Sequence, residues 1–236
     1  MNQSTRKSTR ETAAQPADPA RLHRRLTAVS LAGSALLVGV ASVIPPPNSG
    51  EAEEIYRIAG ESAGRLIAEA VLLTASSVLL VVGILGAARL VWGRGRYLAR
   101  AAALLGVMGA LGHMAYATYS LVTIRIVEAA PSRDAAIATL ESVDASVAIG
   151  LLVFPLILAY ALSVLLLPIA LHRARITPSW VVAIAVAAVA VEVTVPGSSP
   201  LSAVKYLLGA VATTAIAVRI ARLRDDEWRR PGAIAG

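Results

Sequence analysis

Residues 66–88 read LIAEAVLLTASSVLLVVGILGAA, an aliphatic run broken by one ionisable residue, Glu69. A helix needs roughly 20 apolar residues to cross the hydrocarbon core of a bilayer. This run is long enough, and it belongs to a span placed near 64–91. Working outward, comparable segments fall near 26–44, 97–122, 145–171, 179–196 and 201–221. The reading is an all-α polytopic membrane bundle of six transmembrane helices. The last two form a tight hairpin through Pro196-Gly197-Ser198-Ser199-Pro200, where proline and glycine cannot continue a helix.

Composition agrees. The 236 residues are 56% hydrophobic and 16% charged, against about 45–50% and about 25% for a soluble domain. Mean hydropathy is +0.67. Aromatic residues make up only 4% and there is no cysteine, which excludes disulfides, thiolate metal sites and cysteine nucleophiles. Arginine far outnumbers lysine and alanine is abundant, which suggests a GC-rich bacterial genome of actinobacterial kind.

The net charge of +7 does not point to nucleic acid, because the basic residues flank apolar segments. Of the 22 lysines and arginines, the second, fourth and terminal flanks hold all but Arg57, Arg65, Arg125, Arg133 and Lys205. Positive residues stay on the cytoplasmic side, so the expected orientation is N-in and C-in across the plasma membrane. Trp92, Trp180 and Trp228 fall near the same boundary, as interfacial anchors would. Residues 1–21 read as a disordered cytoplasmic tail, 22–222 as the transmembrane domain and 223–236 as a cytoplasmic C-terminal tail. A cleaved signal peptide is the competing reading of 26–44, but that segment is long for one and lacks a small-x-small site before Pro45.

Two connections on the outer side exceed a turn. Residues 45–63 open with Pro45, Pro46 and Pro47 and then become acidic, which predicts a loop. Residues 123–144 contain Ser132-Arg133-Asp134, a helix-start signal, followed by an apolar stripe through Ile137, Leu140 and Val143. This predicts a short helix roofing the bundle, with a solvated loop as the alternative.

Glu69, His113, Glu192 and Lys205 all fall in the outer half of their spans. An ionisable group in hydrocarbon needs a partner, water or a function. On span three, Gly106, Gly109, His113, Tyr116 and Ser120 share one helical face, whose glycines admit a second backbone closely. On span two, Arg65 lies four residues from both Glu61 and Glu69, the spacing of a local ion pair. Glu192 precedes Pro196 by four residues and Lys205 follows Pro200 by five. Each therefore sits roughly 6–8 Å from the hairpin turn at 1.5 Å rise per residue, which predicts a Glu192–Lys205 ion pair. Pro155 is expected to kink span four.

Several chemistries fail on spacing. His113 and His172 lie at different depths, unsuited to a shared haem, and there is no HExxH motif. No cofactor and no metal are expected. An inverted repeat pairing Glu69 with Glu192 fails because inversion would move the second acid to the other half.

Arg24-Arg25 before the first span, the proline-acidic outer loop, and Leu171-His172-Arg173-Ala174-Arg175-Ile176-Thr177-Pro178 after the fourth carry a resemblance. Over roughly residues 22–222 the chain resembles uncharacterised actinobacterial six-helix integral membrane proteins of domain-of-unknown-function type. The resemblance implies architecture and no activity.

The favoured functional reading is an outward-facing polar pocket that binds or transports a lipid-like or amphipathic small molecule. Its expected lining is Glu69, His113, Tyr116, Glu192 and Lys205, with Arg65 at the mouth; membrane lipids are the expected surroundings, with no nucleic-acid partner. Two alternatives stand open: an intramembrane acid–base enzyme, such as an isomerase or cyclase, acting on a lipidic substrate, and a structural subunit of a membrane complex.

Overall fold

The computed structural model describes residues 18–46, 50–194 and 202–229, and among these it contains helices and no strand. The helices are α1 (Pro19–Ala41), α2 (Ala52–Ala88), α3 (Arg96–Ala129), α4 (Arg133–Asp144), α5 (Val147–Arg173), α6 (Ser179–Thr194), α7 (Ser202–Ala221) and α8 (Asp225–Arg229). Five of them, α1, α2, α3, α5 and α7, contain segments long and apolar enough to cross a membrane; α6 is apolar but shorter.

Local chemistry explains the helix ends. The Asp18 side chain accepts a bond from the Ala20 backbone N–H at 3.1 Å, and Pro19 occupies the first helical position of α1; proline there sacrifices only a donor that has no helical partner anyway. Ser132 caps α4 through the Ala135 N–H at 3.2 Å, as its sequence predicts. At the end of α5, the Ile176 N–H bonds the Leu171 carbonyl at 2.9 Å and the Arg175 N–H bonds the His172 carbonyl at 2.8 Å. This double closure places Arg175 at φ 58, a left-handed position usually given to glycine.

The long helices form a ring. Neighbours run from α1 to α2, α3, α5, α6 and α7, and α7 returns to α1. The end that carries both termini is the terminal end; the other is the distal end. Close approach is written in small residues. A Cβ added at Gly109 would lie 2.6 Å from Tyr160 Cα on α5, and one at Gly112 would lie 2.9 Å from the Leu156 carbonyl carbon. Between α1 and α2, the Ser76 hydroxyl donates to the Ser34 carbonyl at 3.0 Å, and a Cβ at Gly83 would lie 2.8 Å from Leu31. Where lipid supplies no hydrophobic drive between helices, such contacts and hydrogen bonds hold them together.

The main core lies in the terminal half. Leu31, Ile84, Leu90, Leu171, Ile216 and Ile220 are buried there with Trp228. Trp228 is 1% exposed, and the Arg89 guanidinium stands 4.7 Å from its ring. It is therefore a plug and not the interfacial anchor its position in the chain suggests; Trp92 and Trp180 are exposed. The helix α8, inside the stretch read as a tail, carries Trp228 into place. Asp225 bonds both Arg21 and Arg24 at 2.7 Å, and Arg229 pairs with Asp18, so the start of α1 and α8 are clamped together.

The distal half differs from expectation at α2. The acidic stretch predicted as loop is helix from Ala52. Glu53 and Glu54 occupy its first turn, where carboxylates favour the helix dipole. Arg57 pairs with Glu54 at 3.4 Å and Glu61 at 3.1 Å, while Ile58 and Ala59 are buried. The 37 residues of α2 and 34 of α3 rise about 55 and about 51 Å, well beyond the roughly 30 Å of hydrocarbon. The break in α2 is at Ser62, with φ −130 and ψ 25. By contrast, α5 runs as one helix across Pro155 and Pro168.

A roofed groove and a polar floor

Distal extensions of α2 and α3 carry α4 across them. Of the stripe predicted for α4, Leu140 is fully buried and Ile137 and Val143 are half-buried; Ala136, outside that stripe, is buried too. Arg133 pairs with Glu53, tying the start of α4 to the start of α2, and the Tyr119 hydroxyl donates to Asp144 at 2.7 Å, tying its end to α3.

Beside the C-terminal end of α4, which contributes Asp144, a groove of about 510 Å³ lies between α2, α3 and α5. Its walls are apolar: Ile58 and Leu66 from α2, Val153, Phe154 and Ile157 from α5. Its polar lining comes from Tyr116, Tyr119, Ser120 and Thr123 on α3 and from Asp144 at the end of α4. This volume is in the range of about 300–1,000 Å³ usual for small-molecule sites, as are apolar walls with a few polar groups.

Three helices each place a polar residue one turn deeper than the groove lining. On α2, Glu69 follows Leu66 by three; on α3, His113 precedes Tyr116 by three; on α5, Tyr160 follows Ile157 by three. Residues three apart stack on one helix face, and the directions of the three helices put all of these residues on the terminal side of the groove. The His113 and Tyr160 rings approach to 4.3 Å between centroids. Glu69 is 5% exposed, its Oε2 has no hydrogen-bond partner, and neither does His113 Nδ1.

The six residues singled out from sequence divide three ways. Tyr116 lines the groove. Glu69 and His113 lie a turn below it. Glu192 and Lys205 form the expected ion pair at 2.7 Å, with the Lys205 ammonium 4.9 Å from the Tyr206 ring; both belong to α6 and α7, which do not line the groove. Tyr206, next to Lys205 on α7, packs against the small cluster that holds Ala70, Leu73 and Ala117, so α7 borders the same part of the bundle from its other side.

Arg65 does not make the local pairs its spacing suggests. Its side chain is exposed, Glu61 bonds Arg57 instead, and Glu69 has no ion-pair partner among the described residues. The break at Ser62 lies between Glu61 and Arg65, which removes the helical register that would join them. Glu69 faces the bundle, whereas a long arginine stem can carry its charge outward to water.

Residues that the sequence left unassigned complete the groove. Tyr119 and Thr123 lie three and seven residues after Tyr116, a second polar stripe on α3 that periodicity discloses. Asp144 and Phe154 carry no periodic signal, because the turn from α4 into α5 brings them there. A second distal cavity, of about 630 Å³, is an acidic surface notch around Glu53, Glu61 and Arg57, and arginine pairs bridge its acids. Among the described residues no three histidine, aspartate or glutamate side chains come together as metal ligands would.

Compared with protein-family models, curated proteins and solved structures, the chain gives no match.

Proposed function

We propose that the chain spans a bacterial plasma membrane six times, with both termini in the cytoplasm, and that its outward-facing groove holds a lipid-like or amphipathic small molecule. The orientation rests on the positive residues gathered at the terminal end. The sixth span in this reading is α6. Its 16 residues rise about 24 Å, a mismatch that local bilayer thinning accommodates at modest cost. This is also the architecture implied by the resemblance to six-helix actinobacterial membrane proteins.

The observation that carries the ligand reading is the groove of about 510 Å³ beside the end of α4, apolar along α2 and α5 and polar along α3. An amphipath would lay its apolar part against Leu66, Val153 and Ile157 and its polar part toward Tyr119 and Asp144. Lateral access from the outer leaflet would let such a molecule enter from lipid.

Two experiments test the two halves of the proposal. The chain has no cysteine, so single cysteines at Ala138 and Arg222 report topology without background. A membrane-impermeant maleimide added to intact cells should label A138C and spare R222C; the reverse pattern rejects the orientation. For the ligand, native mass spectrometry of protein extracted from membranes should show a retained amphipath. Ala115→Trp, which puts a large ring into the groove, should release it. Equal retention by the variant and the wild type rejects the groove as its site.

A further inference from the structure

The groove's charge is more specific than its shape. Asp144 is the one formally charged residue that lines it. Its Oδ1 accepts from the Tyr119 hydroxyl, and among the described residues no basic side chain pairs with it. One turn below, Glu69 is 5% exposed with an unpartnered Oε2. A buried carboxylate without a counter-charge is costly.

The nearby cations are placed elsewhere. Lys205 is held by Glu192 at 2.7 Å, Arg133 by Glu53 and Arg125 by Glu128 at 2.6 Å. Arg65 is exposed and does not line the groove. Asp144 thus faces a space with apolar walls and, among the described residues, no basic lining, and Glu69 lies one turn below it. The rings of Tyr116, Tyr119 and Phe154 also line it, and aromatic faces attract cations within about 6 Å of the ring centroid.

We infer that the molecule the groove accepts is a lipophilic monocation, an ammonium or other onium centre carrying apolar groups. The inference rests on the reading of the groove as a site for an amphipath and adds the sign of its charge. Asp144 meets the cation at the rim, the three rings and the aliphatic wall take its apolar groups, and Glu69, one turn below, is the acid that a bound cation would favour in its charged form. Anionic amphipaths are repelled by the Asp144 carboxylate.

The test uses the full chain in nanodiscs of zwitterionic lipid, with empty nanodiscs subtracted for partitioning. Tetraphenylphosphonium and tetraphenylborate share a shape and differ in the sign of charge; triphenylphosphine oxide serves as the neutral probe. Tetraphenylphosphonium should bind saturably and tetraphenylborate should not. Asp144→Asn and Glu69→Gln should each weaken tetraphenylphosphonium at least tenfold, and Ala115→Trp should abolish its binding. Asp144→Asn keeps an acceptor for Tyr119 at an exposed rim position, so it reports charge even if Glu69→Gln compromises folding.

Saturable binding of tetraphenylborate at comparable affinity, or of the neutral probe alone, overturns the cation inference and leaves the groove reading intact. So does full affinity in both carboxylate variants. Absence of saturable binding by all three probes overturns the inference together with the groove reading.

Discussion

Gly109→Ala is the sharpest test of the α3–α5 packing on which the groove depends. An alanine Cβ at this position would lie 2.6 Å from both Cα and Cβ of Tyr160 and 2.8 Å from its backbone nitrogen. Carbon atoms pack at about 3.5–4.0 Å, so α3 and α5 must part by roughly 1 Å; the obstacle is backbone, which cannot rotate aside. Overpacking of this kind costs about 1–3 kcal/mol. Alanine returns up to about 1 kcal/mol through helix propensity, leaving a net loss of about 1–2 kcal/mol. Gly39→Ala on α1 is the matched control, since nothing lies within 4 Å of its added Cβ; it should be neutral or slightly stabilising. Reversible unfolding in mixed micelles, titrated with sodium dodecyl sulfate, measures both. Helices persist in that unfolded state, so the propensity term shrinks and the steric term stands out. If Gly109→Ala proves as stable as Gly39→Ala, the close α3–α5 approach is wrong.

Other perturbations separate the remaining contacts. Glu192→Gln and Lys205→Met should each cost about 1–2 kcal/mol, between the values for exposed and buried pairs, because Lys205 is 12% and Glu192 41% exposed; in the same unfolding assay the double variant should lose less than the sum, and strict additivity argues against coupling. Trp228→Ala should cost about 3–5 kcal/mol, as large aromatic truncations in cores do, whereas Trp228→Phe should cost much less, since the indole nitrogen has no partner to lose; equal losses would mean that the indole, and not ring burial, matters. The α1–α8 clamp should respond to acid. Hydrogen bonds from Arg21, with the charges of Arg21 and Arg24, hold the Asp225 carboxyl below the usual carboxylate range. A depressed native value stabilises above the unfolded pKa of about 3.9 and is lost as pH falls through the native one. Trp228 emission in a W92F/W180F background should therefore shift below about pH 4, and Asp225→Asn should remove that part of the shift.

The parts legible in sequence are those governed by local rules. Ser132 announces the start of α4 because a capping side chain acts within three residues. The Glu192–Lys205 pair is readable because the two residues lie at nearly equal sequence distances from Pro196 and Pro200, which puts them at one depth on neighbouring helices. Gly109 signals close approach because only its missing side chain makes room for Tyr160. Failures occur where a local rule competes with another. The stretch at 52–63 looks like an acidic loop because it follows Pro45, Pro46 and Pro47 and carries Glu53, Glu54 and Glu61, yet a first-turn dipole, two arginine pairs and buried Ile58 make it helix. The Arg65–Glu69 spacing is correct for a pair, but burial divides the two side chains. Trp228 reads as a belt residue until α8 turns back onto α1. Asp144 and Phe154 reach one groove only through the turn from α4 into α5, whose angle no spacing within a helix encodes.

The two ends of the bundle divide structure from chemistry. At the terminal end, Leu31, Ile84, Leu171, Ile216 and Trp228 fill the centre of the ring, and the start of α1 and α8 are clamped by ion pairs on Asp225. Toward the distal end the apolar core thins to a smaller cluster of Val38, Ala41, Ala70, Leu73 and Ala117, and the unpartnered atoms of Glu69 and His113 appear. Buried polar groups without partners lower stability; at the terminal end these are Arg24 Nε, Arg96 Nε, Thr177 Oγ1 and Trp228 Nε1, and what sets Glu69 and His113 apart is that they lie one turn below a cavity. A bundle selected only for rigidity would bury leucine at positions 69 and 113. The long distal extensions of α2 and α3 have the same asymmetry: these helices are longer than the hydrocarbon is thick, and their distal ends carry α4 beside the groove. Substitutions that lower stability should therefore gather around Trp228 and the α3–α5 glycines. Those that alter ligand retention without unfolding should gather at Glu69, Tyr116 and Asp144, and a single mixed distribution across both ends would contradict this division.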